Sequence, residues 1–165
     1  MDEPSASVQT NARLADISLE GETLTRLSPV LEADRAQAVS DLQVENRFAP
    51  HAVQEPGPYA LRLSIVEGRL VFDIRRLDDT PLTAIALALG PFRRLIKDYQ
   101  MLVDSHILAV QEGRESRIQA IDMGRRGLHN EGAELLAERL GGKVTIDFET
   151  ARRLFTLVCV MHQRT

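Results

Sequence analysis

A chain of 165 residues, 44% hydrophobic and 27% charged, has the composition of a globular protein. Its length suits one domain that buries roughly 70% of the unfolded surface. No run approaches the ~18 apolar residues of a membrane helix, and the acidic start Met1-Asp2-Glu3-Pro4 lacks the apolar segment of a secretory signal. A net charge of −4 argues against a general nucleic-acid binder, whose affinity comes from neutralising phosphates. The single cysteine, Cys159, sits in an apolar run, which excludes an intramolecular disulfide and suits a cytoplasmic protein with a buried thiol. Aromatics are 4% with no Trp, so the core must be built from Leu, Ile, Val and Ala.

Residues 1–12 are small and polar and read as a disordered tail before a single domain over 13–165. Leu14-Ala15-Asp16-Ile17-Ser18-Leu19 alternates as a short strand, ended by Gly21. Ser28 as N-cap and Pro29 at the first helical position open a helix that Val30, Leu31, Ala38 and Leu42 carry to about residue 45. Asn46-Arg47-Phe48-Ala49-Pro50 then leads into a loop that ends Glu55-Pro56-Gly57-Pro58. Tyr59, Leu61, Leu63 and Ile65, then Leu70, Phe72 and Ile74, alternate with polar neighbours around Glu67-Gly68, which predicts a two-residue hairpin. With Val66 paired to Arg69, counting places Leu63 opposite Phe72 and Arg62 opposite Asp73, close enough for a cross-strand ion pair.

Asp78-Asp79-Thr80-Pro81 is a turn, and 82–89 a third strand whose alanine face predicts a closely packed helix over it. Gly90-Pro91 opens a helix with Phe92, Leu95, Ile96, Tyr99, Leu102, Val103, His106, Ile107 and Val110 on its apolar side, closed by Gly113. A longer helix spans about 115–140 up to Gly141-Gly142, with 124–132 either continuous helix or a break in it. Residues 143–148 make a short edge strand, and Asp147 caps a last helix from about 149. Its segment 154–161 is apolar all round and fits a central buried helix or a strand; the opening from Thr150 favours helix. Strands first and helices mostly after them is the α+β order, with helices on one face of a small antiparallel sheet.

The stretch Asp122-Met123-Gly124-Arg125-Arg126-Gly127-Leu128-His129-Asn130-Glu131-Gly132 departs from this plain pattern. A helical seam through it takes Ile118, Ile121, Arg125, Leu128, Gly132 and Leu135, which puts a guanidinium on a core-facing position where it needs a partner. Glycines that each cost about 1 kcal/mol in a helix oppose the element that contains them, and such contradictions gather at functional or strained sites. Eighteen Arg against two Lys, Lys97 and Lys143, favour carboxylate or phosphate pairing, although a GC-rich genome also inflates Arg. Arg93-Arg94 and Arg152-Arg153 fall at helix starts, where the macrodipole disfavours cations unless an anion joins them. Neighbouring acids could supply that charge from within the chain.

Two functions are consistent with these residues. One is a non-catalytic module that binds an anionic ligand or partner protein through Arg93, Arg94, Arg125, Arg126, Asn130, Arg152 and Arg153. The other is a small hydrolase or transferase acting on a phosphorylated or carboxylated metabolite, with His129 as acid/base and Glu131 assisting. No cofactor motif is present, neither Gly-x-Gly-x-x-Gly nor a Walker loop. A metal site is not expected, because His129 and Glu131 at i, i+2 cannot face one ion from a helix.

Several longer words carry a resemblance: Glu45-Asn46-Arg47-Phe48-Ala49-Pro50, Leu61-Arg62-Leu63-Ser64-Ile65, Pro91-Phe92-Arg93-Arg94, and the run 120–132. With Ala151-Arg152-Arg153-Leu154-Phe155-Thr156-Leu157-Val158-Cys159 they resemble the alphaproteobacterial uncharacterised protein family 0262 over about 14–164. The resemblance implies a stand-alone cytoplasmic protein and carries over no catalytic or binding residue. Gly68 departs from the Asn usual at that turn, and His106 from an aromatic.

Overall fold

The computed structural model describes residues 11–20 and 27–162. In chain order these form β1 (Leu14–Leu19), α1 (Pro29–Val44), β2 (Phe48–Pro50), β3 (Tyr59–Val66), β4 (Arg69–Arg75) and β5 (Pro81–Ala88). Then come α2 (Arg93–Gln111, entered through a 3-10 turn at Gly90–Phe92), α3 (Glu115–Leu140), β6 (Val144–Ile146) and α4 (Phe148–Met161). The class is α+β. Residues 1–10 and Gly21 lie outside the described residues, so most of the expected tail does too. Ala12, placed in that tail, accepts a hydrogen bond from the Phe48 backbone N–H.

The main sheet has the order β1-β3-β4-β5. It is mixed rather than wholly antiparallel, because β1 runs parallel to β3, and α1 lies within the connection between them. The hairpin forms in the expected register, with Val66 opposite Arg69, Leu63 opposite Phe72 and Arg62 opposite Asp73. Glu67 and Gly68 both take positive φ, 50° and 74°, as a twisted two-residue turn requires. Arg62 nevertheless turns from Asp73 to Glu20 and Asp79, while Asp73 holds Arg75. Leu61, Leu63, Leu70, Phe72 and Ile74 face inward and join a core shared with all four helices.

Two expectations about strands need correction. Phe48–Pro50, expected only to lead into a loop, pairs antiparallel with β6 as a separate ribbon. Among the described residues no helix covers the alanine face of β5: Ala84, Ala86 and Ala88 are exposed. The segment 154–161 is helix, buried on every side, and α4 packs between α1 and α3. Asp147 caps it by accepting the Thr150 N–H at 2.9 Å. α3 runs unbroken through Gly124, Gly127 and Gly132. Gly132 is where α4 comes closest, since a Cβ there would lie 2.2 Å from the Phe155 ring.

Candidate functional site

Three helices each place one polar residue on an otherwise apolar seam, and the three meet. On α1 the seam is Leu31, Asp34, Ala38 and Leu42; on α2 it is Leu95, Tyr99 and Val103; on α3 it is Ile121, Arg125, Leu128 and Gly132. Arg125 Nη2 donates to Asp34 Oδ1 at 2.6 Å, with the two side chains only 16% and 12% exposed. The Tyr99 hydroxyl donates to the other oxygen of Asp34. Burial, reinforced by the Asp34 carboxylate, pushes the Tyr99 phenol far above its ordinary range, so it stays a donor. Arg125 also lies 3.6 Å from Asp122, which in turn faces His106. The guanidinium on the seam therefore has a carboxylate from a helix 91 residues away.

His129, one turn after Arg125, is 8% exposed and packs against Tyr99 with ring centroids 5.4 Å apart. Burial, then the nearby Arg125 and Arg152, pull its imidazole down to about 4. It is neutral at pH 7. It lines a small cleft of roughly 100 Å³ with Asp34 and Asp41 of α1 and Arg152, Arg153 and Thr156 of α4. That volume takes about three waters or one small oxyanion. Arg152 donates to Glu149 at 2.8 Å; Arg153 lies 3.6 Å from Glu149, 3.8 Å from Asp41 and donates to the Glu45 carbonyl at 3.4 Å. Both arginines sit in the second turn of α4 rather than the first. Among the described residues five buried side-chain nitrogens have no hydrogen-bond partner; Arg152 Nε, Arg153 Nε and His129 Nε2 belong to residues that line this cleft, whereas Arg125 Nε and His106 Nδ1 do not.

The other candidates lie elsewhere. Arg94 pairs with Asp98 at 3.3 Å and with Glu131, which is exposed on α3. Glu131 and His129 do not share a face. Arg126 and Asn130 lie one turn apart on the outer side of α3. Arg93 is exposed at the start of α2, and neither it nor Arg126 has a carboxylate in ion-pair range among the described residues. Asp34 and Tyr99 escaped the sequence reading as site residues. The signal for Asp34 was present, an acid on an apolar seam mirroring Arg125 on its own. Among the described residues no cluster of His, Cys, Asp and Glu could hold a metal ion, and no helix is long and apolar enough to cross a membrane.

A mixed α+β fold with a small polar cleft among three helices defines the structural class. Within it, the chain belongs to the uncharacterised protein family UPF0262, whose family model matches residues 11–164. It is similar to a UPF0262 protein of Granulibacter bethesdensis, 70% identical over 159 residues, covering 92% of this chain and 90% of that one. A UPF0262 protein of Acidiphilium cryptum is 56% identical over 162 residues, covering 96% and 97%. One from Mesorhizobium japonicum is 52% identical over 158 residues, covering 96% and 98%. No solved structure matches the chain.

Proposed function

We propose that this protein is a non-catalytic binding module that takes one small anionic group, a phosphate or carboxylate, in the cleft between α1, α3 and α4. The group belongs to a metabolite or to a side chain of a partner protein. One observation carries the reading: the guanidinium groups of Arg152 and Arg153 and the neutral His129 ring line one small cleft. Guanidinium N–H groups form directed, charge-assisted hydrogen bonds to phosphate and carboxylate oxygens. Glu149 and Asp41 already balance the two guanidinium charges. Recognition therefore rests on directed hydrogen bonds and shape rather than on excess positive charge, which disfavours nucleic acid. A buried Cys159 suits a cytoplasmic setting. The hydrolase alternative gains no support, because His129 and Glu131 do not converge and the cleft is too small to enclose a metabolite.

Thermal unfolding in the presence of inorganic phosphate or citrate tests this. A ligand at a hundred times its Kd stabilises by about 2.7 kcal/mol. Arg152→Gln and Arg153→Gln are expected to remove the stabilisation, and Arg126→Ala, on the outer face of α3, to leave it. No stabilisation by either anion, or an equal one in Arg152→Gln, would overturn the proposal.

A further inference from the structure

β5 is an edge that the described residues leave open. Pairing parity fixes which of its backbone groups point outward. The Leu89 N–H donates to the Gly68 carbonyl, and in an antiparallel ladder the residues that exchange bonds recur every second position. With Leu87 opposite Leu70, Ile85 opposite Phe72 and Thr83 opposite Ile74, those residues direct their backbone groups at β4. The N–H and C=O groups of Ala84, Ala86 and Ala88 therefore point away from the sheet. Their side chains are exposed, and the strand carries no charge. A groove of about 520 Å³ is lined by Thr83, Ala84, Ile85 and Ala86 of this strand together with residues 50–52, Gly142 and Lys143.

Natural sheets usually blunt such an edge with charge, proline or a cover. The opposite edge of this sheet is treated that way. The Asn46 side-chain amide takes both the N–H and the C=O of Leu14, and Asp16 is exposed on β1. β5 has only Pro81, at its first residue.

We infer that β5 is the interface of a two-fold symmetric homodimer, in which it pairs antiparallel with β5 of a second copy to make one continuous sheet. Centring the two-fold axis on Ile85 satisfies parity. Ala84 then exchanges bonds with Ala86 of the second copy and the reverse, while Ile85 meets its own counterpart as a non-hydrogen-bonded pair. The charges at the two ends choose a second copy as the occupant. Asp78 and Asp79 precede the strand, whereas Arg69 pairs with Ala88 at its far end. Arg93 follows just beyond, its guanidinium near the Gly68 turn. Arg69 and Arg93 are both exposed. Antiparallel self-pairing sets the aspartates of each copy beside the arginines of the other. Arg93 thereby gains Asp78, which has no ion pair of its own among the described residues, while Asp79 keeps Arg62 and Arg75.

Sedimentation velocity and an introduced cysteine test the proposal. The wild-type protein is expected to sediment with the mass of two chains rather than 18.4 kDa. Ala86→Pro deletes an outward N–H and leaves the β4 ladder intact, and Ala84→Lys adds charge to the edge. Each is expected to give a monomer with unchanged circular dichroism, so the second serves if the first fails to fold. Ile85→Cys is expected to form an interchain disulfide on oxidation. Non-hydrogen-bonded partners stand about 4.5 Å apart at Cα, within disulfide reach, and the native Cys159 is buried. A wild-type protein with the mass of one chain, or a dimer unaffected by both edge variants, would overturn the inference.

Discussion

Gly124, Gly127 and Gly132 look alike in the sequence of α3 and differ in what surrounds them. A Cβ at Gly132 would lie inside the Phe155 ring, whereas one at Gly127 meets nothing within 4 Å. Overpacking a core costs about 1–3 kcal/mol, against about 1 kcal/mol gained on replacing a helical glycine by alanine. Gly132→Ala is therefore expected to lower stability, and Gly127→Ala to raise it by up to about 1 kcal/mol. Chemical denaturation of both variants checks the pair, and equal signs would contradict the packing described. His129 gives a prediction in pH. Its imidazole is held at about 4, against an ordinary value of 6.5. The unfolded chain therefore takes up the proton first as pH falls. The stability carried by neutral His129 is complete above 6.5 and is lost between 6.5 and about 4, on the order of 3 kcal/mol in all. Denaturation across that window is expected to show the slope in the wild type and to find it much reduced in His129→Gln.

Among the elements, Asn46 joins the most structure for one residue. Its amide binds both backbone groups of Leu14 and the carbonyl of Leu42, tying the start of β1 to the last turn of α1. Asn46→Ala is expected to cost about 2–4 kcal/mol, because it strips partly buried backbone groups of their partners. A loss below about 0.5 kcal/mol in urea denaturation would show that water replaces the amide without penalty. Elements that declare themselves locally were legible in the sequence. The β3–β4 register follows from alternation and a two-residue turn, and the extent of α3 from its seam and the glycines at its end, whereas its continuity through 124–132 follows from neither. What depends on a distant partner was not legible. β2 is three residues long, ends in Pro50 and exists only because β6 arrives beside it. Nothing in β1 states that it will pair parallel, and the Arg62 side chain had two acids to choose from besides Asp73. The alanines of β5 suggested a cover that the described residues do not place over them.

At the scale of the whole molecule, the seam arginine was legible as an anomaly and its solution was not. Local pattern could say that Arg125 requires a partner. Only the packing of α1 against α4, and of α2 and α3 beside them, brings Asp34 to it. The same packing separates the arginines that looked like one group, sending Arg94 to Glu131 and leaving Arg93 beside the open sheet edge. It also gathers His129, Arg152 and Arg153 into the cleft that the proposed function rests on. The imidazole nitrogen signals of His129, followed while inorganic phosphate is added, read that cleft directly. An anion beside the ring favours its protonated form. Signals of His129 should therefore move while those of His51, His106 and His162 stay, and its protonation midpoint should rise from about 4. Phosphate that left the His129 signals unmoved, or shifted all four histidines alike, would contradict the account.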